Sequence, residues 1–415
     1  MAKQTLHRQT LANMKEICSW FSAKKASLSY PIYSSYDIRD AGYKISNVDA
    51  NIFPAGFNNI CPTDKETSVG LMDDYITTHY GSQMRNILLV TEEHTNNAFY
   101  WENVHTIRSL LEAGGRTVKV AIPKPLPEPL KLTSSVGNEV IVHSALPDGE
   151  LLRSYKPDLI ISNNDFSEAY EEWALSMSEY AINPPRELGW YQRKKSTYFK
   201  YYNELVNEFA QITQIDPFLM RVETELFSHF DIGDEKSRED LAQQVDAMLD
   251  RLRTDYKQRG LSQEPFVFVK NNAGTYGLAV IRVGSGAEVK EWSYKSRKKM
   301  KAAKGGRDVE EVIIQEGIPS IVQADGASAE PVIYMIGSNL AGGFLRTHAE
   351  KSSTESLNSP GAVYRRLCVS DLAINTPGCP QENVYGWTAK LGLLAIALEA
   401  KEMGADFKKY IKTNG

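Results

Sequence analysis

The sequence lacks the features that mark membrane proteins, disulfide-rich secreted proteins and zinc enzymes. No apolar run approaches the length of a membrane span, and the N-terminal segment is typical of an amphipathic helix rather than a secretion signal. The 4 cysteines are far apart and form no CxxC spacing, so we expect reduced thiols in a cytoplasmic protein. The 7 histidines form neither HxxxH nor HExxH, which argues against a zinc site.

Two familiar nucleotide-binding motifs are also missing. No GxxxxGKS or GxxxxGKT string occurs, so the chain has no Walker loop. A Rossmann fingerprint requires GxGxxG between a strand and a helix, whereas β-type residues follow the glycine pair Gly274 and Gly277. The net charge of −5 argues against nucleic acid or an anionic membrane as the main partner, and the sequence leaves a homo-oligomer open.

What is present is a globular composition of 415 residues, 42% hydrophobic and 24% charged, long enough for two or three packed units. Alternation of buried strands with a helix predicts the α/β class for residues 85–190. The predicted elements are strands over 87–90, 118–122 and 158–162 and a helix over 98–113. Loops at the carboxyl ends of such strands commonly bind ligands, and the first of these loops contains His94.

The most informative stretch is FVFVKNNAGTYGLAVIRV, residues 266–283. Alternating large apolar residues predict a strand that ends at Lys270, and a second strand follows the flexible NNAGTYG run. Gly274 and Gly277 allow successive backbone N–H groups to face one concavity, and Lys270 adds a positive charge. The pattern favours a hairpin that closes its loop over a polyphosphate; an ordinary hairpin with a solvated lysine remains the alternative.

Oxygen-bearing side chains cluster after the first helix, within residues 30–59. The pattern predicts two short strands, the second including Tyr43 and Ile45, joined by a turn at 40–42. A loop rich in oxygen ligands follows, and its polar residues are Asp49, Asn51, Asn58 and Asn59. Taken singly, each of these residues is typical of a turn.

The C-terminal half combines strands with two polar loops. The predicted elements are a strand over 311–319, a hairpin over 330–344 and a final helix over 385–403. Residues 293–307 are strongly basic, which is typical of a solvated loop but also fits a mobile loop near a phosphate. Prolines at 184 and 185 indicate a domain boundary.

Together these stretches resemble the ATP-grasp superfamily of carboxylate–amine ligases. Within it, the strings DIRDAGYKISNVDANIFPAGFNN, NPPRELGWYQRKKS, NNAGTYG and SLNSPG are similar to the rarer bacterial glutamate–cysteine ligase of ATP-grasp type. The resemblance extends from about Asp37 to the last helix, and its long first string is the specific part, because many ligases share the lid.

The resemblance implies an α/β fold whose two α+β subdomains hold ATP and Mg²⁺ between them. The residues implied in adenine and phosphate binding are Lys270, Asn272, Gly274, Thr275, Tyr276, Gly277, Gln315, Glu316, Gly317 and Ile318. Relatives carry a further phosphate-binding lysine where this chain has Val222 and Glu223. We expect Lys195, or a lysine of the basic loop, to take its place.

The chain departs from related glutathione synthetases at its C-terminus, where the strands that carry the metal ligands are missing. Asp37, Asp49 and Asn51 near the N-terminus have the missing pattern, so we expect a circularly permuted ATP-grasp fold. The expected division is 1–84, which completes the C-terminal subdomain, 85–190 as a Rossmann-like substrate domain, 191–319 as the subdomain with the lid, and 320–415 as the second subdomain.

The implied reaction joins the γ-carboxylate of L-glutamate to the amine of L-cysteine through an acyl phosphate, the first step of glutathione biosynthesis. Arg346 is the candidate for the acyl phosphate and the oxyanion, or else forms a structural ion pair, and Asn358 holds an oxygen or caps a loop. Substrate candidates are Arg39, His94 and Asn58. Another ATP-grasp ligase, a phosphotransferase and a non-catalytic nucleotide-binding protein remain alternatives.

Overall fold

The computed structural model describes residues 2–166, 168–190, 192–273, 279–301, 309–368, 373–376 and 379–408. In this part of the chain the helices are α1 (Ala2–Ala12), α2 (Met14–Ala26), α3 (Pro62–Tyr80), α4 (Ala98–Ala113), α5 (Glu150–Tyr155), α6 (Glu168–Ser176), α7 (Lys195–Thr213), α8 (Glu235–Gln258), α9 (Gly286–Lys290), α10 (Tyr294–Lys301) and α11 (Val384–Glu402).

The strands are β1 (Tyr33–Asp40), β2 (Ile45–Asn51), β3 (Asn86–Thr91), β4 (Thr117–Ile122), β5 (Leu130–Thr133), β6 (Glu139–Ser144), β7 (Leu159–Asn163), β8 (Ile182–Asn183), β9 (Thr224–Ser228), β10 (Val267–Asn271), β11 (Val280–Val283), β12 (Glu311–Glu316), β13 (Gln323–Ala324), β14 (Ala327–Ile336), β15 (Asn339–His348), β16 (Val363–Leu367), β17 (Ala373–Thr376) and β18 (Cys379–Glu382). Short 3-10 helices span Phe57–Asn59, Arg186–Leu188 and Pro217–Leu219.

The predicted α/β unit is confirmed as a six-stranded sheet with the order β5-β6-β4-β3-β7-β8, called here the parallel sheet. Strand β3 pairs in parallel with β4 and β7, and α4 begins and ends where the apolar spacing predicts. The side chain of Asn97 caps α4 by accepting from the backbone N–H of Tyr100. The antiparallel pair β5 and β6 was not predicted: in β5 half-buried residues alternate with exposed ones, and in β6 Val140 and Val142 alone are buried.

A second sheet brings together the two ends of the sequence. Its order is β16-β15-β14-β1-β2, all antiparallel, with β13 also paired to β14; it is called here the long sheet. The register places Asp37 of β1 opposite Asp49 of β2 on one side and Val332 of β14 on the other. The N-terminal hairpin therefore extends a sheet whose other strands come from residues 323–367.

Both faces of the long sheet are covered, as the alternation of β14 shows. Ile333 and Met335 pack into a core with α7 and α11, whereas Val332 and Tyr334 pack into a core with α3 and α4. Helix α7 follows the expected domain boundary at 190 but packs chiefly on α11, on the side of the long sheet.

The stretch singled out in the sequence forms the third sheet, with the order β11-β10-β12-β9, called here the hairpin sheet. Strands β10 and β11 pair antiparallel from Val267 opposite Val283 to Lys270 opposite Val280, which confirms the predicted hairpin. Helix α8 packs its apolar face on this sheet. Residues 274–278 of the connecting loop lie outside the described residues.

Two assignments from the sequence were wrong in detail. Asp49 and Asn51, predicted in a loop, belong to β2, which pairs with β1 as far as Asn51 opposite Ser35. Tyr43 precedes β2 and lies in the turn after β1, where its ring contacts the rings of Phe218 and Tyr256. Gly42 in this turn has φ +77°, which glycine adopts without steric cost. Of the helices in the described ranges, none has the length and apolar character needed to cross a membrane.

Candidate active site

A cleft lies between the long sheet and the hairpin sheet and opens to solvent. Strands β1, β2 and β14 contribute one wall, and β10, β11 and β12 contribute the other. The loop between β15 and β16 adds two side chains. The lining residues are Asp37, Arg39, Val48, Asp49, Lys195, Phe268, Lys270, Val280, Gln315, Glu316, Ile318, Glu330, Ser356 and Asn358.

Lys270 enters this cleft from the end of β10. Its Nζ atom donates to Gln315 Oε1 at 2.6 Å and to the backbone oxygen of Val48 at 3.1 Å. Burial lowers the pKa of Lys270 to about 8, although the negative charge of Asp49 acts in the opposite direction. Among the described residues no carboxylate forms an ion pair with Lys270, so its charge is available to an anionic ligand.

Asp37 and Asp49 lie directly across from each other on β1 and β2, and different cations hold them. Lys195 Nζ lies 2.5 Å from Asp49 Oδ1, and Arg346 Nη1 lies 2.7 Å from Asp37 Oδ2. Burial raises the pKa of Asp37 despite the charge of Arg346. Burial also opposes the charge on Asp49, but Lys195 and then Lys270 outweigh it and lower the pKa of Asp49.

Glu330 on β14 joins two arginines. Its Oε2 atom lies 2.6 Å from Arg39 Nε, and its Oε1 atom lies 2.7 Å from Arg346 Nη1. Burial opposes the ionised form of Glu330, yet the two guanidinium groups lower its pKa. The Nε atom of Arg346 is buried without a hydrogen-bond partner among the described residues. The guanidinium therefore retains one unused donor beside Asp37.

Arg39 also fixes the loop that carries Asn358. Its guanidinium donates to the backbone oxygens of Ser353 and Glu355 at 3.0 and 2.8 Å. These bonds hold the segment after β15 against the end of β1, and Ser356 and Asn358 follow at the cleft. One arginine thus connects the wall of the cleft to its rim.

The segment after β12 is held from both sides. Glu316 accepts from Lys44 Nζ at 2.6 and 2.7 Å and from the Tyr256 hydroxyl at 3.0 Å. The backbone N–H of Gly317 donates to the oxygen of Phe266 at 2.7 Å, and a Cβ atom on Gly317 would lie 2.2 Å from the Phe266 ring. The side chain of Glu316 is therefore used internally, and glycine is required at 317 by close packing.

The structure brings together part of the set predicted from sequence. The predicted residues at the cleft are Asp37, Arg39, Asp49, Lys195, Lys270, Gln315, Glu316, Ile318 and Asn358. Arg346 and Gly317 do not line the cleft but contact, or adjoin, residues that do. Gly274, Thr275, Tyr276 and Gly277 fall outside the described residues, as do residues 302–308 of the basic loop.

Four other predicted residues lie away from the lining. Asn272 accepts from the backbone N–H of Ser196, and Asn51 accepts from that of Phe53. Asn58 belongs to a 3-10 helix, and His94 lies edge-on to the ring of Tyr100.

Two charged residues of the site were not singled out in the sequence. Lys44 is 1% exposed and pairs with Glu316, and Glu330 is 3% exposed and joins two arginines. Glu330 stands in an otherwise apolar strand pattern beside Val332, and a charge in such a strand signals a buried partner. Lys44 lies in a turn, where a lysine is unremarkable in sequence.

Paired carboxylates beside lysines, in a cleft between two sheets, are typical of enzymes that act on phosphorylated ligands with a divalent cation. Comparison with protein families identifies the family within this class. Residues 7–400 match the family model GshA, glutamate-cysteine ligase, and the chain belongs to that family. It is a ligase that joins glutamate to cysteine in glutathione biosynthesis.

One solved structure agrees with this membership. A protein of Methylobacillus flagellatus KT, provisionally described as a gamma-glutamylcysteine synthetase in its 1.90 Å crystal structure, is 32% identical; the match covers 96% of each chain with a TM-score of 0.83. A glutathione synthetase-like effector of Globodera pallida, in its apo form, is 10% identical over 88% of this chain and 87% of its own. Its TM-score of 0.38 is too low to carry an argument. No curated protein matches the chain.

Proposed function

We propose that the cleft binds ATP and Mg²⁺, and that the chain makes γ-glutamylcysteine through an acyl phosphate. The observation that carries this proposal is the placement of Asp37 and Asp49 opposite one another, in the same cleft as Lys195 and Lys270. Two carboxylates suit a divalent cation, and two lysines suit phosphate oxygens.

We further propose that the fold is a circularly permuted ATP-grasp fold. The support is the pairing of β1 with β14, which makes residues 33–51 part of a sheet otherwise formed by 323–367. In this proposal the long sheet and the hairpin sheet belong to the two ATP-grasp subdomains, with boundaries near 84, 190 and 319. The parallel sheet then forms the substrate domain.

The donor set fits Mg²⁺. Asp37 and Asp49 would hold the ion, with Asn51 two residues further along β2 as a third oxygen donor. When bound, the ion would neutralise charge on the phosphates. Lys195 and Arg346 neutralise the two aspartates, so a bound ion would compete with these two ion pairs.

ATP would lie with its adenine along the backbone of 315–318 and its phosphates near Lys270 and Lys195. In this proposal the NNAGTYG run, residues 271–277, is the lid over the phosphates. Lys195 is thus our candidate for the phosphate-binding lysine that relatives carry where this chain has Val222 and Glu223.

Glutamate is a poor electrophile as a carboxylate, so its γ-carboxylate first attacks the γ-phosphorus of ATP and releases ADP. The amine of cysteine then attacks the acyl carbon, and phosphate leaves. Arg346, with its unused Nε donor, and Asn358 are our candidates to bind oxygens of the acyl phosphate and the tetrahedral intermediate. Arg39 is the candidate for the α-carboxylate of a substrate, and His94 and Asn58 remain weaker candidates.

The test measures ADP and product together. We expect ADP release to require glutamate, to rise when cysteine is added, and to match γ-glutamylcysteine formed. ADP with no amide product would identify a phosphotransferase, and ADP with a different amino acid pair would identify another ATP-grasp ligase. ATP binding without turnover under all of these conditions would contradict the proposed mechanism. A cytoplasmic location and a homo-oligomeric state stay predictions.

A further inference from the structure

Two cysteines far apart in sequence meet outside the cleft. The Sγ atoms of Cys61 and Cys368 and a carboxylate oxygen of Asp64 all lie within 4.8 Å of one another. Cys61 directly precedes α3, and Cys368 directly follows β16. Both residues are buried, at 3% and 4% exposure. Nothing in the ligase reaction uses this dithiol.

We propose that Cys61 and Cys368 form a reversible disulfide site that reacts with small-molecule disulfides. A disulfide has an S–S length of about 2 Å, so the two sulfur atoms must approach by less than about 3 Å. Cystine is a suitable member of this class of reactant, because it is the disulfide form of the cysteine that the enzyme consumes.

The chemical environment divides the roles of the two thiols. A hydrogen bond from Cys368, with N–H groups of Thr63 and Asp64 at the start of α3, lowers the pKa of Cys61. Burial, and then the Cys61 thiolate, raises the pKa of Cys368. Cys61 is therefore the attacking thiolate, and Cys368 is the thiol that closes the disulfide.

The exchange balances in two steps. The Cys61 thiolate attacks one sulfur of the small disulfide RSSR, forming a mixed disulfide and releasing one thiolate RS⁻, which takes up a proton. Cys368 then loses its proton to solvent and attacks the Cys61 sulfur, which releases the second RS⁻. The two protein thiols are oxidised by two electrons, and RSSR is reduced to two RSH.

The neighbours of Cys368 favour this chemistry over a soft metal ion. Arg366 Nε donates to Cys368 Sγ at 2.6 Å, so a guanidinium cation already lies against one of the sulfurs. This positive charge stabilises the Cys368 thiolate that forms in the second step but repels a metal cation. Strand β16 lies at the end of the strand order of the long sheet, with exposed side chains at Val363 and Tyr364. In this proposal the edge strand opens to give a small disulfide access to the pair.

The disulfide would link two segments that border the active site. Cys61 lies shortly after β2, which carries Asp49, and Cys368 directly follows β16, the strand after the Asn358 loop. A bond between them would fasten the end of β16 to the start of α3. This inference does not depend on the proposed roles of ATP or Mg²⁺.

The test uses the full-length reduced protein, incubated with cystine without oxygen and analysed by intact mass and peptide mapping. We expect a loss of about 2 Da per chain, release of cysteine, and a peptide that links Cys61 to Cys368, all reversed by dithiothreitol. Cys368→Ser should instead trap a mixed disulfide on Cys61, a gain of about 119 Da. Cys61→Ser should slow thiol loss about tenfold.

Cys18→Ser is the matched control and should behave as the wild type. Labelling of Cys18 or Cys379 without a Cys61–Cys368 peptide would overturn the proposal, as would reaction confined to denatured protein. Stoichiometric zinc binding that protects both thiols from cystine would identify a metal site instead. Near-ultraviolet circular dichroism checks that the variants fold, and the wild-type peptide map decides the matter if they do not.

Discussion

Asp37 and Asp49 are cross-strand partners in the long sheet, yet each is neutralised by a cation from a different part of the chain. Arg346 on β15 holds Asp37, and Lys195 at the start of α7 holds Asp49. A divalent cation that binds both carboxylates competes with these two ion pairs. The displaced cations then need anions, which the phosphates of ATP supply. We therefore expect Mg²⁺ and nucleotide to bind cooperatively, so that each raises the affinity of the protein for the other.

Asp49→Asn should lower magnesium-dependent kcat/KM by about 100-fold or more, because the amide removes the charge and one acceptor oxygen. The Asp49 side chain is 40% exposed, so we expect little change in Tm. Asp325→Asn, at an exposed ion pair with Arg365, is the control and should leave both quantities unchanged. A lower Tm with normal turnover in Asp49→Asn would make Asp49 a structural residue of β2.

Lys270→Ala should weaken ATP binding by about 10- to 100-fold, the usual contribution of a hydrogen bond to a charged group. Stability should not fall, since the substitution removes a buried charge that has no carboxylate in direct contact. Isothermal titration with ATP, together with thermal unfolding, measures both. Lys290→Ala, which breaks a surface pair with Glu239, is the matched control. Unchanged ATP affinity in Lys270→Ala would favour the ordinary hairpin.

The pH dependence of ATP binding should follow Lys270. Its pKa is lowered from 10.5 to about 8, chiefly by burial, so the folded apo enzyme loses this charge as pH rises through about 8. We expect the KM for ATP to rise above that pH. Lys270→Arg should move the alkaline limb upward, because guanidinium stays charged. If the alkaline limb of the pH profile is the same in Lys270→Arg as in the wild type, another group is responsible for the titration.

The lowered pKa of Lys270 has the opposite effect on stability: rising pH weakens ATP binding but stabilises the fold. Between about pH 8 and 10.5 the unfolded chain keeps the proton of Lys270 while the folded chain loses it. Unfolding then takes up a proton, so the contribution of this lysine to stability rises with pH across that window and is least below pH 8. Urea unfolding of the wild type and Lys270→Ala at pH 7 and pH 9.5 measures the difference.

Gly317→Ala should destabilise the fold by about 1–3 kcal/mol, because its Cβ atom would overlap the Phe266 ring. Adding Phe266→Leu should recover part of this loss. Gly70→Ala is the control: its Cβ atom meets nothing within 4 Å in α3, so alanine should be neutral or stabilising. Equal Tm values for Gly317→Ala and wild type would show that the segment after β12 moves easily.

Local pattern predicted the elements better than their partners. The apolar spacing of α4 and the alternation of β10 place these elements correctly, because their residues carry the period of the structure. The edge strand β9 has a half-buried, partly charged pattern that carries no such period, and it was not predicted. Its position follows from pairing with β12, more than 80 residues later in sequence.

The residues of the candidate site were predicted in part, because some of them stand in clear local patterns and others meet only through contacts between distant segments. Lys270 ends a clear strand, and the family resemblance supplied Asp37 and Asp49. The pairing of Lys44 with Glu316, and of Cys61 with Cys368, joins residues separated by 272 and about 300 positions. Contacts between residues so far apart leave no pattern in the local sequence. They are known from the structure, in which the sheets bring these residues together.

The position of β1 also bears on how the protein is made. Tyr33 pairs with Ile336, so the first strand must wait for about 300 more residues to leave the ribosome, roughly 15–60 s at ordinary rates of synthesis. Until then β1 lacks its partner β14, so the hairpin of β1 and β2 has a free strand edge that chaperones or other chains can bind. Asp37 meets Arg346 after β15 has emerged, so a ribosome-bound fragment that ends before residue 346 cannot form this ion pair.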